Sequence, residues 1–598
     1  MTELTRRGLA ALPTAALAMA AEGVGARAAQ AEGGASADGP EAAKFKAIYE
    51  AEWAWRNQQF PDDEDESKPL APYLPDDSAS SQAARLARWR QTLAALDALD
   101  ARALGDADQI NLAVYRGQIE ARVASWAFGD WQAPFNSDSS FWGDMAFPAR
   151  SHSFRTEADY RGWIARLGQT PRWFDQQTAA MRLGLGRGFT PPKATLTGRD
   201  QSVALVAAAA PEATEFYHPF TAMPDAFAPA LRAELAAAGR AVIADKVIPA
   251  HQRLLEFLRQ EYLPHCRDSI AANALPDGAA YYRSKIREFT TLDLAPEEIH
   301  AIGLSEGARI RAEMDAVMAE AKFAGGLPAF LQFLRTDPQF YVSTPQALLD
   351  RAAWTAKTFD GKARLWFGRL PRARFGIRPV PPALAPFYTA GRGGLYEYLV
   401  NTYDLPARPL YSLTALTLHE SAPGHAFQIP LALETPGQPA FRRKGYISAY
   451  GEGWAVYCER LGVEMGMYAT PYERFGMLSY QAWRAARLVV DTGVHALGWS
   501  RQRAIDYVAA NTALSQHEVT TEVDRYISWP AQALSYYLGA MAIWRARHRA
   551  EQALGPKFDI RNFHDAVLEL GSVPLSVVEA RTDRFITAGG PSPYPQEV

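Results

Sequence analysis

The stretch HESAPGH at residues 419–425 puts a glutamate directly after one histidine and a second histidine six residues further on. Imidazole nitrogens and carboxylate oxygens bind zinc, and a catalytic zinc site uses three protein ligands and keeps one position for water. We therefore predict that His419, His425 and Glu452 hold Zn²⁺. Glu420 is then the predicted general base, which takes a proton from water at the fourth position.

The six-residue spacing predicts a break in the helix between the two histidines. In the common helical form they lie four residues apart on one face. At six residues an ideal helix turns the second side chain about 120° away and moves it about 9 Å along the axis. Pro423 and Gly424 lie in the interval, and both residues disrupt helices. The alternative is a helix that ends at Ala422, with His425 in a turn and no metal.

Four segments within residues 419–539 resemble successive blocks of one bacterial family, domain of unknown function 885. They are HESAPGHAFQ, GEGWAVYCERL, RLVVDTGVHALGWS and RYISWPAQALSYYLG. Weaker similarity extends over the N-terminal half, from about residue 45. The family is similar to large α-helical zinc peptidases with a glutamate third ligand, such as the oligopeptidase and thermostable carboxypeptidase groups. This resemblance implies a helical fold and peptide-bond hydrolysis, although the two-residue insertion departs from those peptidases.

Helical patterns dominate the chain. Residues 81–101, 230–262 and 296–323 carry apolar side chains at three- and four-residue spacing, which is typical of amphipathic helices. Alternating strand patterns are few and short, and residues 365–400 are the segment where a small sheet could form. We predict a mostly α fold with little β, and the resemblance implies a large multi-helix zinc-peptidase-like architecture with a deep cleft.

Residues around the metal ligands are predicted to assist the reaction. Glu459 lies seven residues after Glu452 on the same helical face, where it could accept a hydrogen bond from a ligand histidine and orient it. The alternative is an exposed charge paired with Arg460. Related zinc peptidases stabilise the oxyanion with a tyrosine hydroxyl, so the resemblance makes Tyr536 or Tyr537 a catalytic candidate. A tyrosine packed in the core is the alternative for either one.

The segment AWRAARLVVDTGVHALGW at residues 482–499 is apolar except for one polar stripe. At about 100° per residue, four polar side chains fall within a sector of about 80°: Arg484, Arg487, Asp491 and His495. Buried charges are costly unless paired, so the stripe faces either solvent or a polar cavity. The apolar surroundings favour the cavity.

Each residue of the stripe receives a predicted role in that cavity. His495 is a candidate donor to the oxyanion of the tetrahedral intermediate. Arg484 or Arg487 could hold a substrate carboxylate through two hydrogen bonds. Asp491 is predicted to support these groups from behind, as Glu459 supports a metal ligand.

The N-terminal residues predict export. Arg6 and Arg7 precede an alanine-rich apolar run at residues 9–21, and small residues suited to signal cleavage follow. We predict a twin-arginine signal over residues 1–31 and a periplasmic or secreted location. A flexible N-terminus or a poor transmembrane anchor is the alternative. The apolar run is too short to span a bilayer and no later stretch is long enough, so stable membrane insertion is not expected.

Composition bounds the remaining possibilities. The 598 residues include 62 basic and 66 acidic side chains, a net charge of −4, whereas a nucleic-acid partner would require a strongly basic face. Because no internal boundary is evident, we predict a polar linker over residues 32–44 and a single helical metallopeptidase-like domain over residues 45–598. The oligomeric state stays open.

These observations predict an exported zinc metallopeptidase whose substrate is a short peptide or a small amide. One rival is a zinc hydrolase of a non-peptide amide or ester, which would use the same chemistry. The other rival is a non-catalytic periplasmic binding protein, against which Glu420 argues because binding alone needs no base. The sequence does not choose between exopeptidase and endopeptidase.

Overall fold

The computed structural model describes residues 39–61, 70–382 and 385–594. The predicted signal over residues 1–31 lies outside the described part of the chain, as does most of the predicted linker. Among the residues that are described, no helix is both long and apolar enough to cross a lipid bilayer.

The chain divides into two compact units. Unit 1 is Met1–Ile270 with Ala274–Asp277, and unit 2 is Ala271–Asn273 with Gly278–Val598. The division falls within the range that the sequence analysis takes as one domain, and that single domain stays a prediction.

Unit 1 is built from helices that pack around a core rich in aromatic side chains, Trp163 and Tyr262 among them. Side-chain caps begin several of them: the Thr156 hydroxyl accepts the Asp159 N–H while the Asp159 carboxylate accepts the Thr156 N–H, which satisfies two N–H groups that the helix leaves free. The helices are α1 (Pro40–Gln59), α2 (Ala79–Asp97), α3 (Asp106–Phe128), α4 (Phe141–Ala146), α5 (Pro148–Ser151), α6 (Glu157–Leu167), α7 (Thr170–Arg187), α8 (Gln201–Ala207), α9 (Pro229–Val242), α10 (Ile248–Phe257) and α11 (Leu263–His265).

Unit 2 is also mainly helical and contains every candidate site residue. Its helices are α12 (Gly278–Thr290), α13 (Pro296–Glu320), α14 (Leu327–Thr336), α15 (Pro345–Lys362), α16 (Leu410–Glu420), α17 (His425–Glu434), α18 (Ala440–Arg443), α19 (Ser448–Glu464), α20 (Pro471–His495), α21 (Arg501–Asn511), α22 (Gln516–Ser528), α23 (Ser535–Leu554), α24 (Ile560–Leu568) and α25 (Leu575–Thr587). The predicted mostly α fold is therefore confirmed.

A small sheet lies within the segment where the sequence allows one. Its strands are β1 (Gly376–Pro379), β2 (Gly391–Gly393) and β3 (Glu397–Val400). The central strand β3 pairs parallel to β1 and antiparallel to β2. Tyr398 and Val400 of β3 pack against Leu413 of α16 and residues of α15. This packing sets β2, an edge strand, beside the helix that carries His419 and Glu420.

Each unit holds one buried free cysteine, Cys266 in unit 1 and Cys458 in unit 2. Cys266 belongs to the unit 1 core and is 2% exposed, while Cys458 lies on α19 and is fully buried. Burial raises the pKa of the Cys266 thiol to about 12, and it also raises that of Cys458. Both residues are therefore small core side chains, as their sparse use in the sequence indicates.

Helices α13 and α20 pack so closely that one position on α13 has no room for a side chain. A Cβ on Gly303 would lie 2.8 Å from both Leu488 Cβ and Val489 Cγ2 on α20. Gly307, one turn later, has open space, since its nearest such neighbour is Tyr507 Oη at 3.9 Å. The two glycines form a matched pair on one helix.

We expect Gly303→Ala to destabilise the protein by about 1–3 kcal/mol, because an overpacked core forces the helices apart. Gly307→Ala should instead stabilise it by about 0.5–1 kcal/mol, since alanine is the better helix former. Thermal or denaturant unfolding of the two variants measures both effects. Equal stability of the two variants would contradict the close packing of α13 on α20.

Candidate metal centre

The helix break that the sequence predicts between the two histidines is confirmed. Helix α16 ends at Glu420 and α17 begins at His425. Between them Ser421 (φ −97°, ψ −123°) and Gly424 (φ −76°, ψ −131°) leave the helical region, and the Ala422–Pro423 peptide is cis. The second histidine therefore starts a new helix instead of continuing the first around its axis.

The break is attached to α19, the helix that carries the third predicted ligand. The Pro423 carbonyl oxygen accepts a hydrogen bond of 2.8 Å from Trp454 Nε1 and one of 3.5 Å from the Cys458 thiol. Both donors are fully buried. These contacts fix the position of the connecting segment relative to Glu452, which lies on the same helix.

The three predicted ligands converge at zinc-like spacing. Glu452 Oε2 lies 3.4 Å from His419 Nε2 and 3.4 Å from His425 Nε2, and the two imidazole planes stand at 89°. Bonds of about 2.0–2.1 Å at tetrahedral angles place ligand atoms roughly 3.3–3.4 Å apart. A hydrogen bond would instead bring the atoms to about 2.7–3.2 Å. The spacing therefore fits a tetrahedral zinc ion.

The negative charges around these ligands also favour the binding of a cation. The carboxylates of Glu420, Glu452 and Glu459 surround His419, within 4.0, 3.4 and 2.8 Å of its ring nitrogens. Burial acts to lower the pKa of His419, but the nearby carboxylates of Glu452 and Glu459 raise it to about 10. Burial acts to raise the pKa of Glu452, but the neighbouring His425 and His419 hold it well below its usual value. A divalent ion bound here would supply the positive charge that these groups otherwise take from protons.

Glu459 occupies the position behind His419 that the sequence analysis predicts for it. Its Oε1 lies 2.8 Å from His419 Nδ1, and the residue is fully buried. A carboxylate at Nδ1 selects the tautomer whose Nε2 lone pair points toward the other ligands.

Glu420 stands beside the three ligands and is anchored by the edge strand β2. The Gly393 N–H donates a 2.7 Å hydrogen bond to Glu420 Oε2, while Oε1 lies 4.0 Å from His419 Nε2. His419, Glu420 and His425 bring one ligand atom each within 4.8 Å of one another. Because Glu452 is nearer to both histidines and one Glu420 oxygen is held by the backbone, Glu452 fits the ligand position better.

The polar stripe of α20 is buried, as the sequence analysis favours. Its four residues are 0–4% exposed: Arg484, Arg487, Asp491 and His495. Eleven residues separate Arg484 from His495, a rise of about 16 Å along the helix. The two ends of the stripe therefore contact different parts of unit 2.

The role predicted for His495 needs correction. The Ala272 N–H donates to its Nδ1 at 3.1 Å, and its Nε2 donates to the Tyr526 carbonyl oxygen at 2.9 Å. Both ring nitrogens are engaged by backbone groups at the far end of α20. His495 therefore has no ring N–H to offer to an oxyanion.

The guanidinium groups of Arg484 and Arg487 pair with side chains of the protein itself. The Arg484 guanidinium donates to Glu459 Oε1 at 3.1 Å. Arg487 donates to the Tyr526 hydroxyl at 3.0 Å and to Glu522 at 3.1 Å. Both arginines neutralise buried protein groups, which corrects their predicted role in substrate binding. Arg484 acts on the centre indirectly, through Glu459.

Asp491 supports a chain turn and not the ligand group. It accepts hydrogen bonds from the Tyr282 hydroxyl at 2.6 Å and from the Ala531 N–H at 3.1 Å. Ala531 has a positive φ of 69°, a conformation that needs such support. Burial raises the pKa of Asp491 to about 7. The predicted placement of Asp491 near the metal is thus also corrected.

The two candidate tyrosines point in different directions. Tyr537 is fully buried, and its hydroxyl donates to Glu306 at 2.8 Å and accepts from Arg309 at 3.0 Å. Tyr536 is half-buried, and its ring packs on the Arg487 guanidinium at 4.4 Å. Tyr536 therefore remains a candidate for the oxyanion donor, whereas the Tyr537 hydroxyl is hydrogen-bonded to side chains of α13.

Sequence reasoning missed two residues at the centre. Tyr446 lies near Glu452: burial, then the charges of Glu452 and Tyr536, raise the pKa of the Tyr446 hydroxyl well above its usual value. A Cβ on Gly393 would lie 1.8 Å from the Glu420 carbonyl oxygen, so the strand needs glycine there. The Gly393-Gly394 pair was a usable signal of close backbone approach. Nothing in the sequence around Tyr446 marks its contact with Glu452.

Comparison with known proteins supports the family and the fold. The family model described as "Bacterial protein of unknown function (DUF885)" matches residues 66–581. The crystal structure of a "putative lipoprotein" from Colwellia psychrerythraea is similar, with a TM-score of 0.83 and 25% identity over 92% of this chain and 99% of that one. A second "putative lipoprotein of unknown function", from Shewanella oneidensis, has a TM-score of 0.70 and 17% identity over 91% and 99%. Among curated proteins no match was found.

We expect the purified protein to retain about one zinc ion per chain, bound by three protein ligands with the fourth position left for water. His419→Ala and His425→Ala should lose the metal, because each removes one ligand. Glu459→Gln should weaken binding about 10- to 100-fold, since it removes the carboxylate that orients His419. Metal analysis after dialysis against a graded chelator measures these effects.

The matched control is His517→Ala, which changes an exposed histidine on α22. It should keep the full metal content. Full zinc retention by both His419→Ala and His425→Ala would place the metal elsewhere.

Proposed function

We propose that this chain, which belongs to the bacterial family of unknown function DUF885, is an exported zinc-dependent peptidase that cleaves short peptides. The observation that carries the proposal is the convergence of two histidines and a glutamate at 3.4 Å spacing, with a second carboxylate beside them. A non-catalytic metal site would not need that second carboxylate.

The residues of the chain provide the parts of a hydrolytic reaction. Zinc, when bound by His419, His425 and Glu452, supplies a Lewis acid that lowers the pKa of water and polarises a carbonyl oxygen. Glu420 accepts the proton from the attacking water, because one of its oxygens is held by Gly393 and the other faces the ligands. The same carboxyl group then returns the proton to the leaving amine.

A donor to the developing oxyanion is the next requirement. Tyr536 is the candidate because its neighbour Tyr446 contacts Glu452 and its own ring is half-buried beside Arg487. The Tyr446 hydroxyl interacts electrostatically with the Glu452 carboxylate, so Tyr446 acts on a ligand in this proposal.

Export is part of the proposal. It is supported by the twin-arginine pattern at Arg6 and Arg7 and by the Colwellia psychrerythraea protein, which is described as a "putative lipoprotein". Lipoproteins of bacteria are exported proteins. A periplasmic or secreted peptidase would act on peptides outside the cytoplasm.

Two other functions use the same residues differently. A zinc hydrolase of a non-peptide amide or ester would share the ligands and the base, and only the substrate separates it from a peptidase. A binding protein would keep the ligands but would have no use for Glu420. Turnover of a mixed peptide library, beside a panel of esters and non-peptide amides, distinguishes all three.

We expect Glu420→Gln to keep the metal and the fold but to lower peptide turnover by about 10²–10⁴-fold, because the amide cannot accept the proton from water. Product formation from the library, followed by mass spectrometry on zinc-loaded protein, measures the change. Glu298→Gln, an exposed position on α13, is the matched control and should retain full activity. Wild-type turnover in pure Glu420→Gln protein would remove this residue from the mechanism.

The adjacent tyrosines provide a second test. Tyr536→Phe should lower kcat by about 10²–10³-fold, the effect of losing one oxyanion donor, with little change in KM. Tyr537→Phe should leave kcat unchanged but destabilise the protein by about 1–3 kcal/mol, because Glu306 and Arg309 lose a buried partner. Steady-state kinetics and thermal unfolding of both variants separate the roles. The reverse assignment of effects would show that Tyr537 faces the reaction.

A further inference from the structure

A cavity of about 400 Å³ lies in unit 2 next to the metal centre. It is lined by residues of α16, α20 and α22 and by the loop before α16, among them Tyr411, Leu416, Tyr480 and Glu518. Its volume is within the range of small-molecule pockets, about 300–1,000 Å³. Apolar walls with a few polar groups are also typical of such pockets.

The cavity and the centre share one face of α16. Leu416 lines the cavity and lies four residues before Glu420, which is one helical turn and about 6 Å along the axis. Strand β2 runs beside the same stretch: a Cβ on Gly391 would lie 3.5 Å from Leu416 Cδ2, and one on Gly393 would meet the Glu420 carbonyl oxygen. A substrate whose scissile bond lies at Glu420 therefore extends toward this cavity when it follows β2.

Glu518 is the acidic group of the cavity. The charges of Arg408, Arg484 and Arg487 act on its carboxylate, but none of them binds it directly. In the part of the chain that the structure describes, no hydrogen bond and no ion pair reaches that carboxylate. Burial raises the pKa of Glu518 to about 7, and Glu522 adds to the effect. One turn along α22, Glu522 is paired with both Arg487 and Arg525. A desolvated carboxylate without a directly bound partner is unfavourable, and a cationic ligand removes that penalty.

Two arginines also line the cavity, but they are directed toward the backbone. Arg408 donates to the carbonyl oxygens of Asn401 and Ala407. Arg335 is exposed and donates to the carbonyl oxygens of Thr512 and Leu514. Solvent screens the charge of Arg335 at its exposed position. Glu518 is the acidic side chain of the lining and is therefore the group that can pair with a cationic ligand.

The remaining lining suits a cation as well. Three tyrosines line the cavity, Tyr341, Tyr411 and Tyr480, and the faces of aromatic rings attract cations. The Arg484 guanidinium lies over the Tyr480 ring, with its Cζ 4.7 Å from the ring centroid.

We infer that this cavity binds a basic side chain of the substrate, whose ammonium or guanidinium group pairs with the Glu518 carboxylate. The inference rests on the proposed function, because it takes the occupant to be part of a peptide held at the metal centre. It adds a substrate class, peptides with lysine or arginine near the cleaved bond, and it makes Glu518 the residue that determines this specificity.

Binding of two small probes tests the cavity without any turnover. Nα-acetyl-lysine methylamide and its norleucine counterpart differ only in the terminal charge. On the zinc-loaded protein at pH 8, where Glu518 is ionised, calorimetry should show the lysine probe binding about 10- to 100-fold more tightly, the range for a hydrogen bond to a charged group. Glu518→Gln should remove that difference.

The matched control is His517→Gln, which alters the exposed neighbour on the same turn of α22 and should keep the preference. Glu518→Gln keeps the backbone N–H that the Ser515 hydroxyl caps, and the two-probe comparison on the unaltered protein needs no variant at all. Equal affinity for both probes, or tighter binding of the norleucine counterpart, overturns the inference.

Peptide hydrolysis separates this inference from the proposed function. Paired peptides with lysine or norleucine next to the cleaved bond should differ about 10- to 100-fold in kcat/KM, and Glu518→Gln should equalise them by slowing only the lysine peptide. Hydrolysis without any such difference overturns the inference and leaves the peptidase proposal standing. Selective binding of the lysine probe without hydrolysis of any peptide supports the cation site and removes the peptidase proposal.

Discussion

A single buried carboxylate, Glu459, joins three helices of unit 2. Glu459 lies on α19. Its carboxylate accepts a hydrogen bond of 2.8 Å from His419 Nδ1 on α16 and one of 3.1 Å from the Arg484 guanidinium on α20. Removing a carboxylate from water costs on the order of several kcal/mol unless charged donors replace the lost hydration. Here the same donors that stabilise the charge also set the relative positions of the helices. Glu452, two turns before Glu459, is thereby held toward the two histidines, and the ligand spacing follows from this contact.

Helix α20 has two separate tasks along its length. Near its middle, Arg484 neutralises the carboxylate behind the metal ligands. About 10 Å further along the axis Asp491 accepts a hydrogen bond from the Ala531 N–H, and at about 16 Å His495 bonds to the backbone of Ala272 and Tyr526. The same stripe thus supports the centre at one end and fixes connecting segments at the other. Its burial comes from helix packing, which the close contact at Gly303 shows most directly.

Features that depend on residues close together in the chain were predictable from the sequence, whereas features that depend on tertiary contacts were not. The break between His419 and His425 was predictable because helix geometry alone forbids one ion between residues six apart. The position of Glu459 behind His419 follows from its seven-residue offset from Glu452.

Periodicity placed His495 on the buried face of α20 but carries no information on where along the helix the reaction centre lies, so the role predicted for His495 was wrong. The contacts of Gly393 with Glu420 and of Tyr446 with Glu452 depend on tertiary packing, which no local pattern encodes. Adjacent tyrosines point about 100° apart, and the sequence cannot say which one faces inward.

The two free cysteines make local unfolding of each unit measurable through their reactivity. A thiol reacts as the thiolate, and burial both raises the pKa of Cys266 and Cys458 and excludes reagents from them. Alkylation of either residue therefore requires a local or global opening of the unit that contains it. Because unit 1 carries one thiol and unit 2 the other, the rates at which the two residues are labelled report the opening of each unit separately. The chain can thus show which of its units opens first without any engineered probe.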